Sequence, residues 1–207
     1  MIKLMKYLKK SAGYVALIIA LLFLQAYCDL SLPDYTSKIV NIGIQQKGIE
    51  DGVPEKIRKT SMDGLELFMS QEDISQLETA YTEDGELYVL KDIDKDTRAS
   101  LNEILGKPML MLGGLTMENE ASGEMLAQMG IPEGADPEAV AQMPEDARAQ
   151  MTESMGEKFR DMPDSMITQA AVSYVQAEYE ALGEDIDELQ MKYIGEAGLK
   201  MILMALL

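Results

Sequence analysis

Between Lys10 and Asp29 the chain runs for 18 residues without a charge, and the centre of that run reads Val15-Ala16-Leu17-Ile18-Ile19-Ala20-Leu21-Leu22-Phe23-Leu24. Apolar residues fall on every face of such a helix, so it has no polar side to turn to water while the other packs on a core. At 1.5 Å per residue the run measures about 27 Å, and about 33 Å if it continues through Leu32, which is long enough to cross a bilayer. Lys3, Lys6, Lys9 and Lys10 stand directly before it and no acid does. A lysine-rich flank stays cytoplasmic, so the rest of the chain is expected outside. The competing reading is a cleaved leader, with Ala26-Tyr27-Cys28 as the processing site. That site is poor, because small residues at −1 and −3 occur only once, with Cys at −1. A lipoprotein signal fails on Tyr27, which is not small. The apolar register also continues through Leu30 and Leu32, so a retained spanning helix is the expectation.

Charge divides along the same line. The net charge of −18, from 36 acidic and 18 basic residues, is the sum of +4 over residues 1–28, −23 over residues 29–198 and +1 from Lys200. A body this acidic repels nucleic acid and anionic lipid surfaces, so neither is expected as a partner of that body. The absence of His removes the usual general base and the commonest transition-metal ligand. One cysteine, Cys28, excludes an intrachain disulfide and any multi-cysteine metal centre.

The pattern predicts a mainly helical body. Pro33 is tolerated as a kink, and Ile39, Val40, Ile42, Gly43 and Ile44 keep helical spacing, so the first helix should extend past the membrane to an end marked by Gly48, Gly52 and Pro54. Pro54 to Met69 reads as a helix. Ser70 with Asp73 marks the start of another, running through Tyr81. Glu86 to Ile93 alternates enough to suggest one short strand, for which no partner is evident. Asp96 to Leu105 is helical and should close at Gly106 and Pro108. Ser165 to Leu182 carries an apolar arc of Ile167, Ala170, Ala171, Tyr174, Val175, Ala177, Tyr179 and Leu182 and ends at Gly183. The expected domains are residues 1–47 (basic flank, first transmembrane helix and its outer extension), 48–192 (an acidic, Met-rich helical domain with at most a minor strand element) and 193–207. The last of these is an apolar ramp from Ala197 to Leu207, read as the start of a second transmembrane helix. A terminal helix folded onto the body is the alternative.

Ten of the 17 methionines lie between Met109 and Met166, with the pairs Met125 and Met129, Met151 and Met155, and Met162 and Met166 each four apart. Thioether sulfur is a soft copper(I) ligand. With no His and a remote Cys, flexible packing filler is the stronger reading. Asp92, Asp94, Asp96, Ser100 and Glu103 match the first, third, fifth, ninth and twelfth positions of a calcium loop, but Thr97 replaces the required Gly. Helix capping explains Asp94 and Asp96 without a metal, and no metal is assigned. No catalytic constellation emerges. Gly106-Lys107 is followed by Pro108, with Leu101 where a phosphate-binding loop needs its first Gly, so this chain is not expected to bind ATP or to be an enzyme by itself.

Several segments together resemble the start of a type IV, multidrug-type ABC exporter, a permease/ATP-binding half-transporter of Gram-positive bacteria. They are Lys6-Tyr7-Leu8-Lys9-Lys10, the stretch Asp29-Leu30-Ser31-Leu32-Pro33-Asp34-Tyr35-Thr36-Ser37-Lys38-Ile39-Val40-Asn41-Ile42-Gly43-Ile44, the segment Met162-Pro163-Asp164-Ser165-Met166-Ile167-Thr168-Gln169-Ala170-Ala171, and Tyr193-Ile194-Gly195 into Leu207. The resemblance implies a plasma-membrane protein with a cytoplasmic N-terminus and residues of about 33–192 outside, in a subgroup whose first two spanning helices are separated by a large outer insertion. It implies a second half-transporter as partner, ATP and Mg as cofactors of the full-length family only, and export of a multidrug, lipid or peptide-like substrate. Gln25, Asn41, Gln45 and Gln46 are then the candidate polar groups of the translocation path. A membrane-anchored or secreted acidic binding module, complete as written, is the alternative, and an extracellular cation buffer is a third reading.

Overall fold

The computed structural model describes residues 12–116, 137–159 and 162–206, and they divide into two compact units. One unit holds the described residues up to Gly48 and from Asp187 on. The other is Ile49–Ile186.

The first unit is a pair of long helices. Helix α1 spans Ala12–Lys38 and passes without a break into a π-helix, Ile39–Gln45. Among the described residues this is the one helix long and apolar enough to cross a membrane, and only 6% of its most apolar 18-residue window is buried. Such exposure separates it from the core helix of a soluble protein, which hides that window. Pro33 sits inside α1 and withholds the donor that the carbonyl four residues back requires. The helix nonetheless extends to the end expected from the sequence, where Lys47 (φ 55°) and Gly48 (φ 85°) turn the chain out. The last helix, numbered α8 in chain order and spanning Ile186–Leu206, pairs with the C-terminal part of α1 and the π-helix. Thr36 meets Met201, and Gly43 meets Ile194. Seven residues forward on one helix are seven back on the other, so the two run antiparallel. Residues withdrawn from solvent recur every three or four positions on both, at Leu32, Tyr35, Ile39 and Ile42 on one side and Leu189, Tyr193, Ala197 and Met201 on the other.

The second unit packs helices on a small antiparallel sheet. Its elements before the long central helix are β1 (Lys56–Arg58), α2 (Lys59–Glu66), α3 (Gln71–Ala80), β2 (Tyr81–Asp84) and β3 (Leu87–Leu90). Then come α4 (Lys95–Thr116), α5 (Pro137–Ala141), α6 (Glu145–Phe159) and α7 (Asp164–Ala181). The strand order is β1-β3-β2, with Ile57 opposite Tyr88 and Thr82 opposite Val89. Gly85 (φ 63°) supplies the first position of the two-residue turn between β2 and β3, where a tight hairpin needs left-handed backbone. The strand expected near Glu86–Ile93 therefore has two partners. One comes from inside the segment read as a Pro54–Met69 helix, which is helical only from Lys59. Helix α3 begins where Ser70 predicts, its hydroxyl accepting the Asp73 N–H at 3.2 Å.

A second boundary is corrected. Helix α4 does not close at Gly106 and Pro108 but runs through both to Thr116. Packing outweighs the local breakers: Pro108, Met109, Leu110, Met111 and Leu112 are all buried, and Gly106 lies where Ile167 of α7 crosses. A Cβ at Gly106 would come within 2.9 Å of the Ile167 methyl. The core between α4 and α7 is completed by Leu101, Leu105, Ala171, Val172 and Val175, with Leu65 of α2 and Ile57 of β1. Met62, Met109 and Met111 are core residues. Met125 and Met129 lie outside the described residues.

Candidate functional site

The polar residues expected along a translocation path differ in exposure. Gln25, Asn41 and Gln45 are exposed. Asn41 donates to Ser37 Oγ at 3.1 Å, one turn back. Gln25 lies 16 positions before Asn41, about 24 Å along a helix. Gln46 differs from the other three: it is half-buried, and its Oε1 is enclosed with no hydrogen-bond partner among the described residues. A residue not singled out from sequence, Gln190 of α8, donates through Nε2 to the Gly43 carbonyl at 2.8 Å. The helix pair thus has a polar stitch where the π-helix meets α8, beside a glycine with no room for a side chain.

The most unusual chemistry of the second unit is at Glu178. This carboxylate is 3% exposed. Its Oε1 accepts the Arg58 backbone N–H at 2.7 Å and Arg58 Nε at 3.0 Å. Its Oε2 accepts Arg58 Nη2 and Ser61 Oγ, each at 2.8 Å. Burial alone would raise its pKa; the donors from Arg58 and Ser61 outweigh burial and hold the carboxyl below the usual glutamate range. Tyr174 lies alongside, its hydroxyl pushed up to about 12 by burial. These groups form one wall of a cavity of about 390 Å³ that also touches Gly64, Leu112 and Ala177. A carboxylate with both oxygens so engaged is a weak proton acceptor, and its geometry is that of a structural latch. Arg58 N–H points outward from β1, so Glu178 also satisfies an edge strand that would otherwise carry an open donor.

A second latch holds the segment 51–55. Arg98 of α4 donates to both carboxylate oxygens of Asp51 (2.6 and 3.0 Å), to Glu55 at 2.7 Å and to the Val53 carbonyl at 3.1 Å. Asn102 accepts the Gly52 N–H at 2.7 Å, and Tyr179 accepts that of Glu55 at 2.8 Å. Tyr81 donates to the Pro54 carbonyl at 2.7 Å.

The calcium-like pattern resolves into local structure. Asp94 caps α4 by accepting the Thr97 N–H at 2.8 Å, and this bond holds its carboxyl below the usual aspartate range. Asp96, Ser100 and Glu103 are on α4 itself, so the backbone cannot wrap an ion as a loop does. Among the described residues no group of three or more Cys, Asp or Glu side chains gathers as a metal site would.

Compared with known protein families, with curated proteins and with solved structures, the chain matches none.

Proposed function

We propose that this chain is the N-terminal membrane segment and outer domain of an ATP-driven exporter of the ABC half-transporter type. In this reading α1 crosses the plasma membrane with its lysine flank in the cytoplasm, residues 49–186 lie outside, and α8 leads back toward the bilayer. The observation that carries it is the antiparallel pairing of α8 with the outer half of a helix whose inner half is apolar on every face and exposed. An insertion borne between two such helices is what the resembling subgroup has between its first two spans. ATP and Mg would be held by a nucleotide-binding domain of the assembled transporter, and a second half would complete the path past Gln25, Asn41, Gln45 and Gln46. The acidic outer unit, with a core of its own, equally supports a membrane-anchored binding module.

An antibody raised against residues 49–186 separates the two in membranes of the native organism. The exporter reading expects the antigen in the carbonate-resistant fraction, on or stably bound to a polypeptide that a photoreactive ATP analogue labels. Antigen released by carbonate, or integral antigen with no labelled polypeptide attached, overturns it.

A further inference from the structure

The far end of the first helix is wound in a way that no other described residues are. For seven residues, Ile39–Gln45, the backbone follows a π-helix, seen also in the 3.0 Å bond from the Gln46 N–H back to the Asn41 carbonyl five residues earlier. Such winding is rare, accommodates one residue more than an α-helix of the same span, and concentrates at functional positions. Three further features meet there. Gly43 is buried where Ile194 crosses, so that a Cβ at this position would come within 2.8 Å of Ile194 Cγ1. Gln190 reaches across to the Gly43 carbonyl at 2.8 Å. Gln46 Oε1 is enclosed and unpaired among the described residues. The last of these works against the observed winding, because a buried acceptor without a donor raises the energy of the state that contains it. The first two hold that winding in place. Opposed local terms of this kind are the physical condition for two closely balanced arrangements.

We infer that Ile39–Gln45 is a conformational joint that exchanges π for α winding. In the α arrangement the surplus residue passes into the Gln46–Gly48 turn. The far end of the joint, Gly43–Gln45, then rotates by about 100° and shifts by about 1.5 Å against α8, the increment of a single residue. Gly43 leaves the crossing, the Gln190 bond breaks, and Gln46 is freed to find a donor. Helix α1 inboard of the joint keeps its register, since Thr36 and Met201 lie on the other side of it. The joint belongs to the helix pair itself and does not depend on what the assembled protein transports.

Distances between nitroxide labels in the full chain, reconstituted in lipid nanodiscs with Cys28→Ser as background, test this. One pair, called outboard, reports on the far end of the joint at Ile44 and Met191, 53% and 70% exposed, and a control pair sits inboard at Lys38 and Leu199. Relative to the parent, Gly43→Ala should add a second outboard distance, and Gly43→Ala with Ile194→Ala should remove it again. Removal of Asn41, which deletes the surplus residue, should leave the second distance alone. The control pair should hold one distance throughout. The joint is refuted if Gly43→Ala and the Asn41 deletion both keep the parent outboard distance, or if the control pair shifts with them, which would mean general loosening of the helix pair. Should the deletion fail to insert, the Gly43→Ala and double-substitution arms decide alone.

Discussion

Glu178 and Arg58 are joined three times over, through the arginine's backbone N–H at 2.7 Å, its Nε at 3.0 Å and its Nη2 at 2.8 Å, although 120 positions separate them in the chain. The backbone bond makes the pair more than a salt bridge, because the same carboxylate closes the outer edge of β1. Glu178→Ala should therefore destabilise the second unit by about 3 kcal/mol, the low end for breaking a buried pair, since 43% of the Arg58 side chain faces solvent. Urea unfolding followed by tyrosine fluorescence measures it, and a loss below about 1 kcal/mol would show that the latch is dispensable.

The same carboxylate sets an acid limb. Its folded-state pKa is depressed below the ordinary 4.5, so the stabilisation is fully present above that value and is lost as pH falls through the lower, folded one. The stability advantage of the parent over Glu178→Gln should be flat from pH 7 to about 5 and shrink steadily below about 4.5. An advantage that grows on acidification contradicts the assigned direction.

Gly52 has no room for a methyl group: a Cβ would lie 2.7 Å from that of Ala171 and 3.1 Å from Asn102 Oδ1, the acceptor of its own N–H. Gly52→Ala should cost about 1–3 kcal/mol through overpacking, and Ala171→Gly in the same chain should recover part of it. Thermal unfolding of the two variants and the parent supplies the comparison; additive losses would mean that the two sites do not touch.

The proposed membrane crossing of α1 has a positional signature. Leu21 lies midway along the apolar run, and Leu21→Arg should reduce insertion by about 2.5–3.5 kcal/mol, the penalty for a charge near the bilayer centre. Ile44→Arg, outboard on the same continuous helix, should leave insertion unchanged. Carbonate extraction of both variants checks this. Equal losses would place the span elsewhere along the helix.

What could be read in advance follows how local each signal is. All-round apolarity over Val15–Leu24, the Ser70 cap and the glycine end at Gly183 are statements about neighbours in sequence, and each element lies where those residues indicate. Strand β1 was not legible, because Lys56-Ile57-Arg58 offers one apolar residue and becomes a strand through bonds to residues 87–90. The continuation of α4 past Pro108 depends on Ile167, some sixty positions later. Glu178 was hidden among 36 acidic residues, and what distinguishes it is an arginine from a distant strand. The role of Gln46 depends equally on its surroundings, since its Oε1 is enclosed while neighbouring Gln45 is exposed.

The turn at Gly48 has a consequence for how such a chain can change over time. Its backbone approaches that of α8 so closely that an added Cβ would touch the Leu189 carbonyl oxygen at 2.8 Å. The chain therefore leaves the helix pair and rejoins it at nearly the same point. Closing so short a gap with a few residues carries little entropic penalty, and the penalty grows only slowly as the loop lengthens. Loop-closure entropy therefore sets little penalty on shortening, enlarging or exchanging residues 49–186. In loop-closure terms the segment is a cassette whose length the two helices barely feel.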